Sequence, residues 1–421
     1  MSSQDEATGD GVRWIGSAWH TRWLEAETDR LLEFGRGSRL DSGGFARQGD
    51  DGVPQDGSHE LWLTCRMTHV HSLGHLMGRP GCGALADHGL SAITSIFADP
   101  EHGGWFAEVG RDGVPVTTSK AAYPHAFVIL ASSSATAAGR PGAADLLASA
   151  LRVSEEHFWD DGAGMVVEEW DRSFATLDAY RGVNANMHSV EAYLAAADVT
   201  GQRIWLDRAV RILERVVHGF ARDWSWRLPE HFDEGWNALP DYNRDRPADP
   251  FRPYGATIGH WFEWARLTLH ARAALEALGD QPAAWMLDDP KGLFDAGVRE
   301  GWSVDGSPGF VYTVDWEGRP VVRERMHWVA AEAIGAAAAL HHATGETAYD
   351  RWYRTWWDYV DEDVIDRVNG SWWHELAPDG SVSRTTWDTK ADLYHAVQAT
   401  VIPRLPLTPS LATALRESQG A

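Results

Sequence analysis

The sequence predicts an all-helical fold: an (α/α)6 barrel of six helical hairpins with short β-hairpin loops at one end. Three observations predict it. A short pattern recurs about every sixty residues. Helical segments fill the intervals, usually two at a time. Their character tends to alternate between amphipathic and apolar on every side.

The recurring pattern is a small residue, a large apolar residue, a few extended residues and often Asp-Gly or Glu-Gly. It is centred on Phe45, Trp105, Met165, Trp226, Phe310 and Trp372, at successive spacings of 60, 60, 61, 84 and 62 residues. The copies at Met165 and Trp226 are weak. Near-equal spacing marks a repeat architecture, and the Asp-Gly and Glu-Gly endings suit tight turns between short strands.

Twelve helices are expected, over 14–34, 59–77, 81–98, 120–138, 141–157, 186–200, 203–221, 259–278, 283–299, 326–343, 346–361 and 389–402. The 203–221 segment sets Leu206, Val210, Leu213, Val217 and Phe220 against Arg208, Arg211 and Arg215. It is amphipathic and belongs outside. The 259–278 and 326–343 segments are apolar nearly all round and belong inside. Inner and outer rings of hairpins close into a barrel. An open solenoid is the alternative; the long loops and the aromatic excess favour closure.

The 421 residues divide into a disordered tail over 1–12 and one catalytic barrel over 13–421. Hydrophobic residues make up 44% of the chain, enough for a large core. The 23 tryptophans exceed ordinary usage. Indole faces stack on the apolar faces of sugar rings, so a carbohydrate ligand fits. The net charge of −24 argues against nucleic acid or an anionic membrane as partner. Two cysteines, Cys65 and Cys82, leave no disulfide framework. There is neither a signal-peptide pattern nor an apolar run near the roughly 18–20 residues of a membrane span, so the expected location is cytoplasmic. Oligomeric state stays open, with a homo-oligomer compatible.

In such a barrel the inner helices begin around one pit. Their starts carry Trp62 and Arg66, Tyr123, Asn184 and His188, His260 and Glu263, Trp328 and Glu332, and His395. Each pair is three or four residues apart and shares one helix face. A carboxylate beside an imidazole fixes its tautomer and raises its basicity. The other reading of His260 and Glu263 is a buried polar pair that only cements a loop.

These residues resemble the N-acylglucosamine 2-epimerase superfamily, and within it the aldose–ketose isomerase branch of mannose and sulfoquinovose isomerases. The resemblance spans nearly the whole chain. Its motifs are Leu61-Trp-Leu-Thr-Cys-Arg-Met67, Arg181-Gly-Val-Asn-Ala-Asn-Met-His188, Glu230-His-Phe-Asp233, Phe251-Arg-Pro-Tyr-Gly255, Gly259-His-Trp-Phe-Glu263, Val314-Asp-Trp316 and Trp387-Asp-Thr-Lys-Ala-Asp-Leu-Tyr-His395. It implies an (α/α)6 barrel with no metal and no organic cofactor. It implies that His260 and His395 form the acid–base pair, with His188 close by. Arg66, Tyr123, Asn184, Arg252, Glu263, Trp328, Glu332 and Trp387 match positions that line the sugar pocket.

Those residue types suit an aldose–ketose isomerisation. The pyranose opens, a proton leaves carbon 2 to give a cis-enediol, and a proton returns to carbon 1. Imidazoles suit both steps, and donors are needed where negative charge develops on oxygen. The expected division is His395 at carbon 2, His260 held by Glu263 for ring opening, and His188 in support. Arg66 and Arg252 are candidate donors. His374 and Ala391 stand where sulfoquinovose-handling members carry glutamines, which favours mannose to fructose. Sulfoquinovose isomerisation and mannose–glucose 2-epimerisation are the alternatives.

Other readings have weaker support. A glycoside hydrolase on this fold needs two carboxylates across the cleft rather than three histidines. A sugar-binding protein would need the aromatics and Arg66 but neither His260 nor His395. His71 and His75 are four apart, as metal ligands can be, but lack an evident third ligand. His341 and His342 suit a helix end, and His231 a loop near the pit. Glu168, Glu169 and Asp171 read as loop surface. The insertion in the 84-residue interval is either a lid or a rim ornament, and the segment after Pro406 is expected to pack loosely.

Overall fold

The structure, a computed structural model, describes residues 12–419. Residues 1–11 of the expected tail lie outside the described residues. Among the described residues thirteen α-helices form: α1 (Ala18–Gly35), α2 (Leu61–Leu76), α3 (Cys82–Ser95), α4 (Ala122–Ala137), α5 (Ala143–Val153), α6 (Val183–Thr200), α7 (Arg203–Leu213), α8 (Ile258–Ala277), α9 (Trp285–Gly301), α10 (His327–Thr344), α11 (Thr347–Tyr359), α12 (Tyr394–Val401) and α13 (Leu411–Ser418). Wider π-type turns extend α5, α7 and α11 through 154–158, 214–221 and 360–364.

The even-numbered helices α2 to α12 form the inner ring. Each packs on the next, and α12 returns to α2, which closes the barrel and rules out the solenoid. Hydrophobicity on all sides dictates this placement. In α10 the run Ala336–Ala339 is buried throughout, and such small side chains let neighbouring helices approach closely. The outer helices are amphipathic: α7 buries Trp205, Leu206, Ala209, Ile212 and Leu213 on one face.

Short antiparallel pairings ring the mouth. Residues just ahead of an inner helix pair with a strand of the following loop: 59–60 with 108–109, 120–121 with 169–170, 181–182 with 231–232, 256–257 with 313–314, and 325–326 with 375–376. A bridge between Gln48 and Lys390 completes the ring. This belt fixes where each inner helix starts, and so where its first side chains point. The expected Asp-Gly turns form: Gly113 and Gly380 have φ of +80° and +81°, a region open to glycine at little cost.

Two expectations change. Helix α12 starts at Tyr394 rather than 389, because Lys390 pairs with Gln48 and the Asp392 carboxylate accepts the Tyr394 N–H at 2.7 Å. The segment after Pro406 is not loose. Helix α13 buries Leu411, Ala412, Thr413, Ala414 and Leu415 and packs across α2, α4 and α6, at the barrel end away from the mouth. Among the described residues no helix is long and apolar enough to cross a membrane.

Candidate active site

A cavity of about 70 Å³ lies at the mouth end of the inner ring. Its walls include Trp62, Arg66, Tyr123, Asn184, His188, His260, Glu263, Trp328, Trp387 and His395. Ten of the twelve expected site residues therefore meet in one place. Pro250, Phe251 and Pro253 also line it, so the insertion contributes directly to the pocket.

Trp328 stands between two histidines, its ring 5.2 Å from that of His260 and 5.6 Å from that of His395. Each imidazole has its own carboxylate. His395 Nδ1 lies 2.8 Å from Glu332 Oε1, and His260 Nδ1 lies 3.0 Å from Glu230 Oε1. A carboxylate on Nδ1 holds the proton there and leaves Nε2 as a bare lone pair facing the cavity. Burial, reinforced by the Arg66 charge, holds His395 and His188 well below the usual histidine range, so both imidazoles are neutral.

The partner of His260 corrects the expectation. Glu263 shares a helix face with His260 but sits one turn deeper. Its Oε1 is 3.7 Å from His188 Nδ1 and 3.7 Å from Arg266 Nη2. Glu230 arrives instead from the loop whose next residues, His231 and Phe232, pair with the strand ahead of α6. His231 is structural: its Nδ1 meets the Tyr180 hydroxyl at 2.7 Å and its Nε2 the Pro253 carbonyl at 2.8 Å.

Glu332 is not an open wall of the pocket but stands behind His395. Arg252 also lies outside it. It stacks over Tyr180 at 4.1 Å and borders an adjoining cavity of about 230 Å³, so it does not face the two imidazoles. Glu168 borders the same cavity and is buried, against its reading as loop surface. Burial pushes its carboxyl up to about 7, despite Arg252 at 3.8 Å.

Arg66 is buried under the rings of Phe127 and Tyr394, at 4.5 and 4.6 Å. It donates to Asp392 at 3.1 Å and to the Tyr123 hydroxyl at 3.0 Å. Burial raises the Asp392 carboxyl, but Arg66, the neighbouring histidines and the Tyr394 N–H together outweigh it and hold the group below its usual value. Sequence reasoning gave no role to Asp392, Glu230, His327 or Tyr312. His374 stacks on His327 at 3.9 Å. The Ala391 N–H donates to His374 Nδ1 at 3.2 Å, so the neutral ring carries its proton on Nε2, as a donor.

Two sets of three potential ligands come within 4.8 Å: His188, Glu191 and Glu263, and Glu263, Glu332 and His395. Neither includes His71 or His75. The positive charge beside these carboxyls is Arg266, whose Nη2 lies 2.9 Å from Glu332 Oε2.

Residues 43–399 match the family model for N-acylglucosamine 2-epimerase (GlcNAc 2-epimerase). The chain belongs to that family. Among family relatives, a D-mannose isomerase from Thermobifida fusca is 51% identical over 405 residues, covering 96% of this chain and 98% of the relative. A D-mannose isomerase from Pseudomonas cannabina pv. alisalensis is 48% identical over 403 residues, covering 96% and 97%. A crystal structure of D-mannose isomerase superposes with a TM-score of 0.84 at 28% identity, covering 91% of this chain and 97% of that one.

Proposed function

We propose that the protein interconverts D-mannose and D-fructose, moving a proton between carbons 2 and 1 of the opened sugar. One observation carries the reading. Two imidazoles, each with Nδ1 on its own carboxylate, flank one indole in a single pocket. The full-length likeness to D-mannose isomerases supports the choice of sugar.

The indole of Trp328 offers a stacking face, and Trp62, Tyr123, Phe251 and Trp387 bound the sugar. His260, oriented by Glu230, takes the anomeric hydroxyl proton and passes it to the ring oxygen as the ring opens. His395 Nε2 then takes the proton at carbon 2, and Glu332 stabilises the imidazolium that forms. The His395 imidazolium returns that proton to carbon 1 of the enediol as a proton passes from the carbon 2 hydroxyl to the carbon 1 oxygen. His188 and Asn184 hold the carbonyl end. Arg66 and the His374 Nε2–H face the oxygens on which charge develops. Burial and the nearby Glu332 hold the Glu263 carboxyl well above the usual range, so it serves as a neutral donor. Arg252 serves the rim. The scheme uses side chains alone, with no metal or organic cofactor. One cytoplasmic barrel carries it all.

Mannose fits better than a sulfonated sugar. The Ala391 side chain has no donor and its N–H is occupied by His374. Product analysis with mannose and with sulfoquinovose tests this. Fructose is the expected early product from mannose. Glucose appearing first would make the protein a 2-epimerase, and faster conversion of sulfoquinovose would overturn the choice of sugar.

A further inference from the structure

We propose that Arg266 is a positioning residue that keeps Glu332 ionised, and so keeps His395 oriented and basic. The proposal rests on the reading of His395 as the base at carbon 2. Arg266 is on α8, one turn below Glu263, and is 1% exposed. Its Nε and Nη2 reach Glu332 Oε2 at 3.0 and 2.9 Å. The other oxygen of Glu332 takes the His395 Nδ1–H at 2.8 Å. The three groups form a single file, guanidinium to carboxylate to imidazole.

The surroundings leave this task to Arg266. Two carboxyls, Glu263 and Glu332, share the barrel axis, and two buried like charges cannot both ionise cheaply. Arg266 makes a hydrogen bond to Glu332 through Nε but stands 3.7 Å from Glu263, so the shared proton falls to Glu263. The other groups facing the pair are committed or neutral. Arg66, from α2, is paired with Asp392. Glu191, from α6, accepts from Tyr394 and Gln398 of α12. His260 is held by Glu230, and His188 is neutral. The sequence also makes room for the guanidinium: a methyl at Gly335 on α10 would stand 3.2 Å from Arg266 Cδ.

Arg266 does not border the sugar pocket. It borders a separate cavity of about 500 Å³ at the α13 end of the barrel, with Ala277 exposed at its rim. That access permits chemical rescue. The test is Arg266→Gly, assayed for mannose turnover across pH with and without millimolar guanidinium. The kcat should fall about 100-fold, less than the roughly 10⁴-fold that follows loss of an imidazole's own carboxylate in a serine protease. KM should change little, because Arg266 does not touch the sugar. The acid limb of kcat should move to higher pH, because Glu332 without its cation loses its proton less readily. Guanidinium should restore at least tenfold, and adding Ala277→Trp should abolish that rescue.

Arg266→Lys keeps the charge and serves if the glycine variant fails to fold; its loss and its limb shift should be smaller. A kcat within threefold of the parent overturns the proposal. So does a fall with an unmoved acid limb and no response to guanidinium, which is what a purely structural role would give. His395→Asn is run in parallel. If it keeps turnover, the reading beneath the proposal fails. If it is inactive while the Arg266 variants are normal, the proposal alone fails.

Discussion

Glu230→Gln is the sharpest single perturbation, because it separates Glu230 from Glu263 as the partner of His260. The bond to be altered is 3.0 Å long, and the Glu230 side chain is 4% exposed. Glutamine keeps the shape and removes the charge. A charge-assisted hydrogen bond contributes about 1.5–3 kcal/mol and a neutral one about 0.5–1.5 kcal/mol. Losing the charge therefore costs about 1.5 kcal/mol, roughly tenfold in rate. A second loss is added when the new amide donates to Nδ1. That moves the imidazole proton to Nε2, the nitrogen that must accept; the same reversal in a serine protease costs about 10⁴-fold. The expected fall in kcat lies between these, about 10²- to 10³-fold. Two assays are needed: mannose-to-fructose turnover, and NMR exchange between the mannose anomers, which follows ring opening. Both should fall together in Glu230→Gln while the melting temperature stays near that of the parent. If turnover and anomer exchange remain within twofold, Glu230 does not serve His260 and the ring-opening assignment is wrong.

Other perturbations probe the frame. Gly259→Ala puts a methyl into the six-membered ring of Trp328; overpacking of this kind costs about 1–3 kcal/mol, and chemical denaturation should show that loss with at least a tenfold fall in turnover. Glu168 has a folded-state carboxyl raised to about 7 from an ordinary 4.5. Its contribution to stability is full below about 4.5 and is lost as pH rises through 7, so Glu168→Gln should flatten the decline in melting temperature between pH 5 and 8 found in the parent; parallel curves would refute the burial of that charge. Leu411→Ala on α13 should cost about 2–3 kcal/mol for a side chain only 8% exposed, and a loss below about 0.5 kcal/mol would return the segment to the loose packing its sequence implies.

Much of the barrel was legible because helical period is a local signal. All twelve expected helices form, and their burial separates an apolar inner ring from an amphipathic outer one. The π-type extensions even match the expected ends of α5, α7 and α11. Helix α13 was not legible: eight residues ending Arg416-Glu-Ser418 carry too little pattern, and only the barrel floor gives Leu411 and Leu415 something to pack against. In the site, spacing found residues at every inner helix start but missed His327, the first residue of α10, which also borders the pocket. What spacing cannot deliver is a partner from another loop. Glu230 reaches His260 only because residues 231–232 pair with 181–182 some fifty positions earlier. Within a helix, His260 and Glu263 look like partners, but one turn of depth separates their tasks. Glu168 carried a readable signal: side chains alternate along an extended segment, so of two adjacent glutamates one turns inward.

The central claim is proton transfer at carbon 2 by His395. Proton NMR in heavy water, with mannose and the parent protein beside His395→Asn, tests it most directly. The account predicts fructose from the parent, with deuterium entering the sugar carbons as the base exchanges its proton with solvent. It predicts no fructose and no exchange at carbon 2 from the variant, with mannose still bound. Fructose from the His395 variant at a rate near that of the parent would contradict it.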